Sequence, residues 1–358
     1  MRSNACLSVL SIFVFFIGLT GCQGCASTSS AKVEEALPAE ETPPVEEEVK
    51  AEKVYSLRQV DGGKVQFDES WGYVMQNRIS QYNKKMPVTD VCLFAAEVNS
   101  YGELTSVPAR SKIDTGGARC HLVVVCDSRS LTHFSISPDY SVRKQLIADI
   151  VKASSNFDGV QLDLEYIPAR DRKAWLTFIK DLREKLPKSK MMSVCVPARF
   201  RLLSEDLYPY AEIASMVDRI FVMAYDEHWS TSKAGPIASV DWCKKVCDYA
   251  VRAVPSEKLV MGIPFYGRSW ADTSTAGAWT FSGVSRILDE NGVAEIFYEN
   301  DIPKFTYTAE VKVTGYFNDV YANVTLCRMY QEMGVKNIGF WRIGQEDPQF
   351  WDYLTTQR

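Results

Sequence analysis

Eight short apolar runs, each the length of a β-strand, recur from residue 70 onward, with helical periodicity between several of them. They lie at 70–75, 90–98, 120–126, 157–166, 190–197, 219–225, 258–265 and 335–341. The clearest helical pattern spans 169–186, where Trp175, Phe178, Ile179, Leu182 and Leu186 recur at helical spacing and share one face. A second runs through 318–333. Strands that alternate with helices imply a parallel sheet, and eight such units imply a closed one. The fold class expected is therefore α/β, a TIM (β/α)8 barrel. Residues 271–315 are too long for a simple loop and carry Trp279, Phe281, Tyr298, Phe305 and Tyr307. A small α+β insertion is expected there, between strands 7 and 8.

Upstream of the barrel the composition changes. Leu7 to Leu19 is almost wholly apolar, follows one positive charge at Arg2, and is too short for a comfortable membrane span. Residues 1–21 therefore read as a cleaved export signal. Leu19-Thr20-Gly21-Cys22 resembles a bacterial lipobox, which implies lipidation of Cys22 and a protein held at a membrane in the cell envelope, periplasmic or surface-exposed. Residues 22–53 include eight Glu and three Lys with interspersed Pro and Ala, too polar to build a core, and read as a flexible tether.

That tether holds most of the formal charge of −5. The folded domain, 54–358, is left nearly neutral, without the basic face of a nucleic-acid binder. Of the ten cysteines, Cys92, Cys126 and Cys195 lie in strand-like runs, and Cys243 and Cys247 share a helical face with Ala250 and Val254. They read as small buried hydrophobes, not as a disulfide framework. His121, His133 and His228 are scattered and give no metal-ligand spacing, and the Cys243/Cys247 pair stands alone. No metal or cofactor is expected, and the chain is expected to be a monomer.

The fourth strand carries the chemistry. It reads Phe157-Asp158-Gly159-Val160-Gln161-Leu162-Asp163-Leu164-Glu165-Tyr166. Alternation sends Val160, Leu162, Leu164 and Tyr166 towards the packing helices and Gln161, Asp163 and Glu165 into the barrel, with neighbours on that face about 6.6 Å apart. A barrel interior is normally filled with apolar layers. Two carboxylates there are costly unless they are networked and used.

This strand resembles the signature Asp-Gly-x-Asp-x-Asp-x-Glu of glycoside hydrolase family 18: Asp158, Asp163 and Glu165 match, and Gln161 replaces the middle Asp. Met223-Ala224-Tyr225-Asp226 resembles the family's Met-x-Tyr-Asp, Gly262 to Arg268 resembles its strand-seven motif, and Trp341 ends strand eight where the family places a tryptophan under the sugar. The resemblance covers roughly 70–355. It implies cleavage of glycans containing N-acetylglucosamine, with Glu165 as general acid. The nucleophile is then the substrate's own acetamido oxygen, an exception to the two-carboxylate scheme. Asp163 is implied to bind the acetamido N–H, Tyr225 its carbonyl oxygen, and Asp226 the distorted sugar. Trp341, Met223, Tyr266 and Arg268 are implied substrate contacts. Asp158 is implied as a partner at the strand's base, and Gln161 as an amide able to hydrogen-bond Asp163.

Two readings of function follow, a glycosidase and a non-catalytic glycan-binding lipoprotein on the same barrel; a surface adhesin is a third. Retention of Glu165, Asp163 and Tyr225 favours the enzyme, because a binding-only relative would typically lose the acid. A tethered bacterial lipoprotein meets peptidoglycan first, while chitin oligomers and N-glycans stay open as substrates.

Overall fold

The computed structural model describes residues 56–272, 276–309 and 311–357. The expected signal at 1–21, the lipidation site Cys22 and the tether 22–53 lie outside the described residues.

Eight parallel strands form a closed ring: β1 Glu69–Met75, β2 Asp90–Val98, β3 Arg119–Cys126, β4 Gly159–Leu164, β5 Met191–Pro197, β6 Arg219–Met223, β7 Leu259–Pro264 and, after the insertion, β13 Asn337–Trp341. β13 pairs with both β7 and β1, and the β1–β2 ladder closes the barrel. The helices are α1 Arg129–Ile136 and α2 Val142–Ala153 between β3 and β4, then α3 Arg172–Lys185, α4 Tyr210–Met216, α5 Val240–Ala253, α6 Val284–Glu290 within the insertion, and α7 Val320–Glu332. Three helices start on side-chain caps: Ser128, Ser239 and Asp319 accept the N–H of Leu131, Trp242 and Ala322. The β1–β2 and β2–β3 connections carry 3-10 turns, at Ile79–Gln81 and Arg110–Lys112, in place of helices, the second also folding Leu104–Thr105 back on β2 as a short antiparallel strand. Their polar linkers, interrupted by Pro87 and Pro108, carry no apolar stripe for a helix to bury.

Each strand faces two cores. Outward, Val160, Leu162 and Leu164 of β4 join the main hydrophobic cluster with Trp175, Phe178, Ile179 and Leu182 of α3, all fully or almost fully buried. Burying each such side chain stabilises by roughly 2 kcal/mol. Inward, Trp71, Tyr73, Cys92, Val123, Cys195, Phe221 and Val260 fill the ring. The N-terminal end is plugged by charge. Arg119 grips Asp90 and Glu69 at 2.6 Å each, Arg219 holds Glu69 at 2.8 Å, and His121 Nε2 lies 2.8 Å from Asp90. The C-terminal end is left open to the loops.

The insertion is an antiparallel sheet in the order β9-β8-β12-β11-β10: Gly277–Thr280, Tyr266–Ala271, Lys312–Tyr316, Ile302–Thr308 and Phe297–Glu299. Phe305, expected as one of its aromatics, sits at its centre with Phe317, Val284 and Leu288. The sheet starts at Tyr266, earlier than the expected 271. Only Phe265 separates β7 from β8, so the two strands read in sequence as one apolar run.

Candidate active site

The inward face of β4 rises from an apolar layer to a charged mouth. Gln161 is fully buried, and its Oε1 accepts the Tyr73 hydroxyl at 2.5 Å; that hydroxyl also lies 3.2 Å from Cys195 Sγ. One step up, Asp163 is buried, and its Oδ1 has no hydrogen-bond partner among the described residues. Glu165 follows the last strand residue, Leu164, and is half-buried at the rim. The hydrogen bond expected from the Gln161 amide to Asp163 does not form. The amide is turned so that its oxygen serves Tyr73, and among the described residues its Nε2 stays unpaired, as does Ser193 Oγ on the adjacent strand β5. The most buried part of the site thus holds an unpaired donor, an unpaired acceptor and an unpaired hydroxyl. Such groups are rare in a finished core.

Burial sets the protonation. It raises the proton affinity of Asp163 above the ordinary range, an effect the adjacent Cys195 thiol opposes. Glu165 is raised too, by burial first and then by the negative charges of Asp163 and Asp226. The pair therefore favours a protonated Glu165 where a free glutamate is ionised.

The other expected residues converge on the same mouth. Tyr225 follows β6 and meets the edge of Tyr266, ring centroids 6.4 Å apart. Asp226 takes a left-handed backbone, φ 58°, uncommon outside glycine. Its Oδ1 accepts Tyr266 Oη at 2.6 Å and Arg268 Nη2 at 2.9 Å. Tyr266 and Arg268, expected as substrate contacts, direct these polar groups at Asp226. Trp341 ends β13 half-buried, its ring against Tyr73 at 5.2 Å and Phe94 at 4.9 Å; Met223 packs in the same inner layer. Asp158 lies at the opposite end of β4, exposed, where its carboxylate accepts the Cys120 N–H at 2.8 Å. It joins β3 to β4 at their base and touches none of the site groups.

The model of the glycosyl hydrolases family 18 matches residues 128–349, more than half of the chain. The chain belongs to this family. A putative sporulation-specific glycosylase of Bacillus subtilis is 26% identical over 210 residues, covering 55% of this chain and 49% of the relative. The cortical fragment-lytic enzyme of Bacillus subtilis is 25% identical over 234 residues, covering 61% and 54%. The chain thus spans about half the length of these curated relatives. Among solved structures, the Bacillus cereus spore cortex-lytic enzyme SleL superposes with a TM-score of 0.73 at 22% identity, over 82% of this chain and 75% of that one. A chitinase from Chromobacterium violaceum gives 0.72 at 22%, over 80% and 97%. At these identities the superpositions establish the shared barrel.

Within this family 18 barrel, four residues of the site escaped the sequence reading. Tyr73 and Cys195 face inward at the level of Gln161 and Asp163, and Ser193 pairs in register with Gln161. Strand alternation alone was enough to place them inside, but not to show which carboxylate they adjoin. Tyr208, from the β5–α4 loop, donates to the carbonyl of Leu164 at 2.6 Å, one residue before Glu165. No local pattern marks that long-range contact.

Proposed function

We propose that this chain hydrolyses β-linked glycans containing N-acetylglucosamine, with peptidoglycan as the polymer it meets, by substrate-assisted retaining catalysis. The observation that carries the reading is the pair on β4: a buried Asp163 one step below a rim Glu165 whose proton is retained by burial and by two neighbouring carboxylates. A general acid at neutral pH needs that raised affinity. Glu165 gives its proton to the glycosidic oxygen as the C1–O bond breaks. The acetamido oxygen bonds to C1, and Asp163 takes the hydrogen bond of the acetamido N–H and offsets the positive charge of the oxazolinium. Water then attacks C1, returns a proton to Glu165 and reopens the ring. Trp341 supplies the apolar floor. The names of the curated relatives, a sporulation-specific glycosylase and a cortical fragment-lytic enzyme, support a peptidoglycan-type substrate over chitin.

Two measurements test this reading. Glu165→Gln is expected to keep glycan binding and lower turnover by roughly two to four orders of magnitude; turnover near wild type sinks the assignment. A substrate with a free 2-amine at the cleaved sugar is expected to bind without reacting, because the nucleophile is missing. Comparable turnover of acetylated and de-acetylated oligosaccharides would require a protein carboxylate or water as nucleophile. Binding of both without hydrolysis of either would favour the non-catalytic reading.

We also propose membrane attachment through a lipid on Cys22, since Leu19-Thr20-Gly21-Cys22 follows an apolar signal. Cys22→Ala is expected to move the protein from the membrane fraction to the soluble one, with hydrolysis of small soluble glycans unchanged. A variant that still pellets with membranes overturns the anchor.

A further inference from the structure

Among the described residues, two arginines at the mouth of the barrel have no carboxylate within ion-pair distance, and both follow strands that end beside the proposed sugar floor. Arg342 directly follows Trp341 at the end of β13, and Arg78 lies three residues beyond the end of β1, its neighbour in the sheet. They belong to one folded corner. Arg342 Nη1 donates to Gln81 Oε1 at 3.0 Å, and the Gln81 N–H donates to the Arg78 carbonyl at 2.9 Å. Arg342 is half-buried and Arg78 exposed. Arg119, Arg219 and Arg268, all partly buried in the same barrel, are each paired with a carboxylate within 3 Å. Among the described residues neither Arg78 nor Arg342 forms an ion pair. The negative charge that acts on Arg342 is Glu346, and its carboxylate already accepts the Gly344 N–H and the Trp351 indole N–H.

We infer that Arg78 and Arg342 form an anion-reading edge of the cleft, which takes a carboxylate carried on a sugar neighbouring the cleaved one: the lactyl or stem-peptide carboxylate of a muramic residue. Half-burying a guanidinium next to a second one, with no ion pair among the described residues and only Glu346 opposing, is unfavourable. Arg342 shows that cost, because burial first and then the charge of Arg78 lower its hold on its proton. An arriving carboxylate offsets both and matches the guanidinium fork. A neutral chitin chain brings no such group. The inference rests on the proposed hydrolysis of glycans containing N-acetylglucosamine, and it names the feature that separates peptidoglycan from chitin within that class.

The test uses three substrates: soluble chitin oligosaccharides, glycan strands of peptidoglycan with free lactyl carboxylates, and the same strands with those carboxylates converted to methyl amides. Steady-state kcat/KM is measured for the wild type, Arg78→Gln, Arg342→Gln and the double variant. The wild type is expected to favour the anionic strands over the amidated ones by about tenfold or more, the scale of one charged hydrogen-bonded pair. That ratio is expected to collapse in the double variant and to shrink in the wild type as salt rises. Equal rates on anionic and amidated strands overturn the inference, as does a double variant that loses activity on all three substrates in parallel. Turnover of chitin oligosaccharides alone overturns the anionic edge and leaves the glycosidase standing. Turnover of none of the three overturns the glycosidase reading, and the edge with it.

Discussion

At the residue scale, the carboxyls of β4 place function and stability in opposition. In the proposed mechanism Asp163 must be ionised to stabilise the oxazolinium, and Glu165 must start protonated. Both are raised above their ordinary values, so both limbs of the pH–rate profile are expected at higher pH than free carboxyls would give. Activity rises as Asp163 ionises and falls as Glu165 loses its proton. The measurement is kcat/KM against pH. A basic limb in the ordinary glutamate range contradicts the assignment of Glu165. The stability sign follows from the same shifts. A group whose folded value is raised contributes stability below its unfolded value and loses it as pH rises through the folded one. Asp163→Asn is therefore expected to lower turnover strongly while the folded variant gains on the wild type at pH 7. Thermal unfolding at pH 4 and pH 7 checks this, and the gain should shrink at pH 4. Asp163 and Glu165 were legible from alternation on one strand. The orientation of the Gln161 amide was not, because Tyr73, 88 residues away in sequence, decides it.

At the element scale, one loop and two glycines hold the site. The β5–α4 loop brings the Tyr208 ring against Trp175 and its hydroxyl to the Leu164 carbonyl, fixing the backbone from which Glu165 projects. Tyr208→Phe leaves that carbonyl unpaired at a cost of about 1–2 kcal/mol. It is also expected to lower kcat several-fold with little change in KM, since the acid and not the sugar floor is loosened. A loss confined to stability, with kcat unchanged, would remove Tyr208 from the positioning set. On β7 and β13, Gly262 and Gly339 stand in register. A Cβ at 339 would sit 2.2 Å from the Phe221 ring, and one at 262 would sit 2.7 Å from the Val222 carbonyl and 3.0 Å from the Tyr225 ring. These two glycines give the aromatic layer room to tilt under the mouth. Gly339→Ala is expected to destabilise by about 1–3 kcal/mol through overpacking, read by urea unfolding. The Gly262 motif was visible in sequence, but its pairing with Gly339 depends on the register of two strands 77 residues apart.

At the scale of the whole molecule, the barrel closes one end with charge and opens the other for chemistry. Burial alone would raise Asp90, but hydrogen bonds from His121 and Arg119 overcome it and hold its carboxyl down at about 2. Glu69 is likewise lowered, Arg219 and Arg119 outweighing its burial. Depressed groups contribute stability above their unfolded values and lose it as pH falls through the folded ones, so this plug is expected to fail in acid, between about pH 4 and pH 2. Asp90→Asn leaves Arg119 short of a partner at the barrel floor and is expected to cost roughly 3–5 kcal/mol at pH 7. Urea unfolding checks it, and the difference from wild type should fade towards pH 2. The sequence by itself determined the eight-strand barrel, the insertion and the inward face of β4, and its motifs nominated Glu165, Asp163, Tyr225, Asp226 and Trp341 through their resemblance to family 18. Those follow from periods of two and 3.6 residues and from short motifs, which are local properties of the chain. Only the tertiary structure decided that Tyr266 and Arg268 hold Asp226, that the Asp158 carboxylate takes the Cys120 N–H, that Gln161 turns to Tyr73, and that Arg78 and Arg342 share a corner with no ion pair among the described residues. Each of these joins residues on different strands or loops, and closing the ring sets those distances where no local period records them.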